Sequence, residues 1–310
     1  MLDIQTYQCG ESQIAYHVFG DGKINIVVEM GLGAAMGEWW HIAQALSAQA
    51  RYTVLLYERV KSGNRKTSVP SRSPEHIAKE LKALLDALGH EERIILLAHS
   101  QGGLYAQQFA RLYPSLVKGL ILLDPLTAED NRFRAVLTPE EFRKSGVDKF
   151  SNLTLPKTLA KLHLGFVIKA FMKSAPPLCY AQAFSNDARA YVLDALTKPA
   201  FYQTAMEEYR LSHLEENLSG LHDAAGFPRV PLALITHSSA LAEKETMEFG
   251  GASPEPAKKV EELWQTLMKN YLTFSPSAKY IQAEKSTHYI HLMQPELIDE
   301  ALEFIEKTCA

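Results

Sequence analysis

The chain has no uninterrupted apolar run long enough to cross a bilayer, so no membrane span is expected. It has little cysteine: Cys9, Cys179 and Cys309 are widely spaced and odd in number. They form no metal-ligand or redox spacing, and they read as inert thiols of a reducing compartment. Residues 1–9 lack a basic region followed by an apolar core, which excludes a secretory signal there and makes a cytoplasmic protein the expectation. There is no excess of positive charge. The net charge of -4 argues against nucleic acid and anionic membranes as main partners. No internal repeat or low-complexity stretch is visible. What remains is 310 residues, 46% hydrophobic and 22% charged, enough for one large α/β domain or one domain with a big insertion. A chain of this length should bury about three quarters of its unfolded surface and needs neither disulfide nor metal to be stable.

The organising stretch is Ile94-Ile95-Leu96-Leu97-Ala98-His99-Ser100-Gln101-Gly102-Gly103. An apolar run of this length reads as a strand buried on both faces, and it stops at Ser100, ahead of a helix-like segment from Leu104 to Tyr113. Ser100 therefore lies where a strand turns sharply into a helix. Ala98 and Gly102 stand two residues to either side, where bulk would clash across so tight a turn. The same turn aims the N–H of Gln101 into a small volume beside a helix N-terminus, where negative charge is favoured.

Ala98-His99-Ser100-Gln101-Gly102 resembles the small-x-Ser-x-small nucleophile elbow of the α/β-hydrolase superfamily. The resemblance implies a mostly parallel central sheet flanked by helices, a serine nucleophile, and a carboxylate and a histidine that follow it in chain order.

The rest of the chain can be read in order. Short strands are expected at Gln5 to Cys9 and Gln13 to Phe19, around a Gly10-Glu11 turn. Ile24 to Glu29 is a buried strand leading into Met30-Gly31-Leu32-Gly33 and then a helix through Ala50. Tyr52 to Tyr57 is another strand, and Glu58 to Ser71 reads as a loop. Ser73 caps a helix to Leu88, with Pro74 in its first turn. Val117 to Leu123 is the strand after the elbow helix. This alternation predicts parallel strands with right-handed crossovers. It stops after Asp124, and residues 127–228 read as helical and irregular. Strands return at Pro231 to Thr236 and Lys279 to Ala283, separated by a charged helix from about Pro256 to Leu272, and a last helix runs from Pro295 to Lys307. The expected organisation is a core of 1–126 and 229–310, with 127–228 as a helical cap inserted in it. Within the cap, Leu159 to Met172 is apolar on all sides. It reads as a helix that is either buried throughout or lines a pocket with one face.

A serine hydroxyl needs a base, and histidine suits neutral pH. Of eleven histidines, His288 and His291 sit in a loop just after the last expected strand. The resemblance assigns the base to His288, with His291 as the alternative. His291 is otherwise expected to hydrogen-bond structurally or line the pocket floor, and the resemblance packs His99 beneath the elbow. The base in turn needs a carboxylate. In the resembling family this usually follows the penultimate strand, but that loop here reads Thr236-His237-Ser238-Ser239-Ala240-Leu241-Ala242-Glu243, without an aspartate. Some members carry the acid one strand earlier, where this chain has Asp124. We therefore take Asp124 as the acid, with Glu243 or Glu245 as alternatives. The oxyanion hole needs two N–H donors. Gln101 supplies one, and the resemblance places the other at Leu32. Tyr57-Glu58-Arg59 departs from the family's turn at that point, where Arg59 is retained without direct chemistry.

These features make a serine hydrolase of a small, apolar, ester-like acyl substrate the leading expectation, with no metal and no cofactor. The alternative is a ligand receptor or regulator on the same scaffold, suggested by the missing aspartate after Thr236.

Overall fold

The protein is described by a computed structural model covering residues 2–10, 12–59, 71–145, 147–222 and 224–309. Eight strands form one sheet: β1 (Gln5–Cys9), β2 (Ser12–Phe19), β3 (Ile26–Glu29), β4 (Val54–Glu58), β5 (Ile94–His99), β6 (Val117–Leu123), β7 (Leu232–His237) and β8 (Ala278–Ala283). Their spatial order is β1-β2-β4-β3-β5-β6-β7-β8. β1, β2 and β4 pair antiparallel, and every later pairing is parallel. The central strands are buried along their whole length, which is why they appear in the sequence as continuous apolar runs rather than alternating ones.

Helices cover both faces. α1 (Trp40–Ser47), α2 (Pro74–Ala87) and α3 (Gln101–Leu112) belong to the first half of the sheet. Seven helices lie between β6 and β7: α4 (Arg132–Val136), α5 (Pro139–Lys144), α6 (Lys149–Lys161), α7 (Gly165–Met172), α8 (Asn186–Ala195), α9 (Pro199–Leu211) and α10 (Glu215–Leu218). α11 (Ser239–Gly250), α12 (Pro254–Asn270), α13 (Ile290–Met293) and α14 (Glu296–Cys309) complete the chain. Ser73 caps α2 by accepting from the His76 N–H, as its place before Pro74 suggested. One apolar cluster packs α2, α3 and α12 on one face of the sheet, and a second packs α1 and α14 on the other.

Three expectations need correction. The loop read at 236–243 is mostly helix, because α11 starts at Ser239; its polar, weakly periodic sequence hid it. The apolar stretch 159–172 is not one helix. It breaks at 162–164, where His163 has φ 58°. Nor is it buried all round: Leu162, Phe166, Val167 and Phe171 are exposed, while Ile168 packs into an apolar cluster. Phe171 and Met172 edge a cavity, so a pocket-lining face is present at the C-terminal end of the stretch. Most of the expected loop at 58–71 lies outside the described residues; of what is described, Glu58 ends β4 and Arg59 is buried.

Buried carboxyls predict how stability depends on pH. Glu38 sits just before α1 and accepts from the Ala35 N–H at 3.1 Å. Burial pushes its carboxyl up to about 8, against that hydrogen bond and with help from the nearby Glu58. Because the folded value lies above the unfolded one, this group's stabilising contribution is complete below the unfolded carboxyl range. It is lost as pH rises through about 8, at up to about 1.4 kcal/mol per pH unit. Glu38→Gln keeps an acceptor for Ala35 and never ionises. In thermal melts the variant should gain on the wild type at pH 9 and gain much less at pH 5. An equal difference at both pH values would mean Glu38 does not titrate in this window.

Candidate active site

The carboxyl ends of β5, β6, β7 and β8 lie side by side, and each delivers one polar residue to the same rim. Ser100 follows β5, Asp124 follows β6, His237 ends β7, and His288 lies in the loop after β8. This is the edge where parallel sheets bind ligands, because the strand ends open there into loops and helix N-termini.

Ser100 has φ 53° and ψ -126°, a region that a non-glycine residue occupies only under strain. Its N–H donates to Leu123 O at 3.0 Å, and its carbonyl accepts from the N–H groups of Gly103 and Leu126, at 2.9 and 2.7 Å. These bonds over-determine the turn. Gly102 has no room for a side chain, since a Cβ there would lie 2.1 Å from Glu29 O. Gly31 approaches the elbow from β3, where a Cβ would come within 3.2 Å of Ser100 Cβ. Leu32, the next residue, lines the cavity in front of Ser100 together with Gln101. Gln101 opens α3, so its N–H has no intrahelical acceptor. Its side chain turns to Tyr105 and Ser212.

Asp124 is fully buried and also takes a positive φ, 44°. Oδ1 accepts from the His237 N–H at 3.0 Å. Oδ2 accepts from two imidazoles, His288 Nδ1 at 3.1 Å and His237 Nδ1 in a closer contact. With Nδ1 donating, His288 keeps a lone pair on Nε2 for an outside proton. Its backbone carbonyl accepts from His99 Nε2 at 2.9 Å, so the residue before the serine also holds the loop that carries the imidazole.

Sequence reasoning missed His237. It stands at the usual family position of the acid, and the search there was for a carboxylate. Its Nε2 donates to Glu261 Oε2 of α12 at 2.8 Å. Burial opposes charge on this ring, but the Asp124 carboxylate and the hydrogen bonds to Asp124 and Glu261 outweigh it and push the imidazolium up to about 10. Burial would likewise raise the Asp124 carboxyl; the His237 charge, with hydrogen bonds from His237 and His288, holds it well below the usual carboxylate range. A protonated His237 thus bridges the Asp124 carboxylate and the Glu261 side chain. The alternatives Glu243 and Glu245 lie on α11, and Glu245 accepts from the Tyr180 hydroxyl at 3.0 Å rather than from a histidine.

His291 is fully buried and packs flat on Trp39, at 4.2 Å between ring centroids. Burial, and then its neighbours His99, His41 and His288, hold it well below the usual histidine range, so it is neutral. Neither ring nitrogen has a partner among the described residues. It is a packing residue here, neither hydrogen-bonded nor on the cavity floor. Arg59 does more than the sequence implied. It donates to Met30 O at 2.6 Å and Gly31 O at 2.9 Å, and pairs with Glu29 and with both carboxylate oxygens of Glu208 on α9. It thereby fixes the backbone leading to Leu32 and ties it to a helix between β6 and β7.

The cavity over Ser100 and His288 has a volume of about 420 Å³, within the range of small-molecule sites. Leu126, Val147, Met172 and Trp264 give it apolar walls, and Glu245, Thr246 and Arg143 supply polar edges. Among the described residues, one group has metal-ligand spacing: Asp124, His237 and His288, with ligand atoms within 4.8 Å of one another. Both Nδ1 atoms point at the carboxylate through hydrogen bonds, and a protonated His237 is a poor ligand. This donor set therefore fits a proton network and not a cation.

With this geometry described, the chain can be set beside known proteins. The profile of the alpha/beta hydrolase fold family matches residues 24–214. RutD of Pantoea ananatis, a carbamate hydrolase candidate, is 31% identical over 141 residues, 44% of this chain and 50% of that protein. The chain thus spans about half the length of the RutD relatives it matches. YqjL of Bacillus subtilis, uncharacterised, is 23% identical over 286 residues, 92% of this chain and 85% of YqjL. Among solved structures, an epoxide hydrolase candidate from Pseudomonas aeruginosa superposes with TM-score 0.70 at 16% identity, covering 99% of this chain and 96% of its own. The N-acyl homoserine lactone degrading enzyme Est816 superposes with TM-score 0.60 at 17% identity, covering 96% and 99%. At these identities the structural likeness is one of fold.

Proposed function

The chain belongs to the alpha/beta hydrolase fold family, and from that premise we propose that it is a serine hydrolase acting on an ester or related acyl bond. The observation that carries the proposal is the strained Ser100 facing one cavity with His288, whose ring is held by Asp124. In this reading, Ser100 Oγ attacks the substrate carbonyl carbon while His288 Nε2 takes the hydroxyl proton. The carbonyl π electrons move onto oxygen, and the N–H groups of Leu32 and Gln101 receive the oxyanion. Collapse breaks the acyl bond, and His288 passes its proton to the departing oxygen or nitrogen. Water, deprotonated by His288, then releases the acid and restores Ser100.

Asp124, backed by His237 and Glu261, fixes the His288 tautomer and stabilises its imidazolium. We take residues 127–228 as a cap inserted between core segments 1–126 and 229–310, with Arg59 and Glu208 as one tie between them. The receptor alternative rests on the missing aspartate after Thr236; the hydrogen bond between His288 and Asp124 supports the hydrolase reading over it. A serine elbow does not suit epoxide opening through an aspartyl ester, whereas the carbamates and lactones named for the relatives are acyl bonds.

The test is a fluorophosphonate probe followed by peptide mapping, with a panel of p-nitrophenyl esters of graded chain length beside lactones and carbamates. The expected result is one phosphonylated peptide, containing Ser100, and turnover of at least one ester class. No labelling of the folded protein would reject the serine mechanism.

A further inference from the structure

The net charge of -4 conceals a sharply uneven distribution. From residue 149 to residue 186 there is no aspartate or glutamate, while Lys149, Lys157, Lys161, Lys169 and Lys173 fall in the same stretch. This stretch forms the helical hairpin of α6 and α7.

The hairpin also carries most of the protein's exposed bulky apolar side chains. Of eight such residues among those described, five are here: Leu155, Leu162, Phe166, Val167 and Phe171. Phe166 is 68% exposed, Phe171 67%, Leu155 67% and Leu162 62%. Val167 and Phe171 are one turn apart on one stripe of α7, and Phe166 stands about 100° round the helix from Val167, also exposed. On the other side of α7, Ile168 is buried in a small apolar cluster with Ala160, Leu178 and Phe201, which anchors the hairpin. Leaving large apolar groups in water is unfavourable when they could otherwise be buried. Concentrating them in one place marks an interaction surface.

We infer that the α6–α7 hairpin is a docking surface for an anionic lipid bilayer. Phe and Leu side chains beside lysines, with no acid among them, are the composition of interfacial helices: the rings enter the acyl boundary while the ammonium groups stay among the headgroups. Each lysine near an anionic surface adds to the attraction. Charge also decides between occupants. Two copies meeting through this face about a two-fold axis would set lysine against lysine, whereas anionic headgroups complement them. No helix among the described residues is long and apolar enough to span a membrane, so the contact is peripheral. Phe171 and Met172 also line the cavity over Ser100, so the docked face adjoins the cavity's wall. On the proposed hydrolase reading, a substrate dissolved in the bilayer would reach the cavity without crossing water.

The experiment is sedimentation of the full chain with sucrose-loaded vesicles, either of phosphatidylcholine alone or with about 30 mol % phosphatidylglycerol. The wild type should bind the anionic vesicles, bind phosphatidylcholine weakly, and lose affinity in 0.5 M NaCl because the lysine attraction is screened. The double variant Leu162→Asp, Phe166→Asp changes only solvent-facing side chains outside the cavity. It should bind at least about tenfold more weakly while keeping the wild-type melting temperature and its rate on a water-soluble ester. If it does not fold, Lys161→Glu with Lys173→Glu should abolish the phosphatidylglycerol dependence instead. Ser100→Ala should bind like the wild type, which separates failure of this proposal from failure of the hydrolase reading. Equal vesicle binding by the wild type and these surface variants would overturn it. So would a wild-type dimer, split by the aspartate pair, that ignores vesicles, because the face would then belong to a second copy.

Discussion

Ser100→Ala should abolish fluorophosphonate labelling and lower ester turnover by about a millionfold, the size of loss measured when the nucleophile of a serine protease is removed. The size follows from the proposed role. No other residue can form the acyl intermediate, and what remains is binding and oxyanion stabilisation for direct attack by water. The substitution should be structurally mild. The backbone bonds from Ser100 to Leu123, Gly103 and Leu126 do not use the hydroxyl, so the melting temperature should stay close to that of the wild type. Active-site titration with the probe and a melt on the same preparation check both halves. Retained labelling at another residue would move the nucleophile away from the elbow.

Asp124→Asn should lower kcat by about ten thousandfold, as for triad acids replaced by amides. The Asp124 carboxylate accepts from three donors: the His237 N–H, His237 Nδ1 and His288 Nδ1. An asparagine presents one acceptor oxygen and an NH2 group. With the NH2 in the place of Oδ2, both imidazoles meet a donor and are driven to the wrong tautomer. With it in the place of Oδ1, the NH2 meets the His237 backbone N–H, and in either case the carboxylate charge is gone. The variant should also lose stability. His237 is held up at about 10 chiefly by the Asp124 charge, against burial. Its folded value exceeds the unfolded histidine range, so its contribution is complete below that range and is lost as pH rises through about 10. Asp124 is the opposite case, with a lowered folded value: its contribution is present above the unfolded carboxylate range and lost in acid. Removing one partner therefore removes both contributions across neutral pH.

Two comparisons make the assignment of the acid sharp. Glu243→Gln should change little, because Glu243 is not joined to either histidine. Glu261→Gln replaces the carboxyl group that His237 Nε2 donates to and so weakens the support behind Asp124. Its kcat should fall less than that of Asp124→Asn, by about tenfold for every 1.4 kcal/mol of transition-state stabilisation removed. A full loss with Glu243→Gln and none with Asp124→Asn would transfer the acid to α11.

Much of the fold was legible in the sequence because a parallel sheet buried on both faces leaves a local signature. β5 carries the apolar run Ile94–Ala98 and β6 the run Gly119–Leu123, and Ser100 and Asp124 stand just past the ends of these strands. The elbow was legible as a five-residue pattern of small residues around a serine, although what excludes a side chain at Gly102 is Glu29 O on β3, far away in sequence. α11 was not legible, because an amphipathic pattern weakened by Glu243, Lys244 and Glu245 on a half-exposed helix resembles a loop.

Residue types and their order along the chain were settled by the sequence alone, and they determined a serine at a strand-to-helix turn with an aspartate and a histidine after it. Tertiary structure decided what those residues touch. It joined His237 to Asp124 across 113 positions of chain and Glu261 to His237 across 24, pointed Arg59 at the carbonyls of Met30 and Gly31, and left Phe166 and Phe171 exposed. Backbone conformation answers to neighbours in sequence. The protonation of an imidazole, and whether an apolar ring is covered, answer to neighbours in space, and no local pattern encodes those.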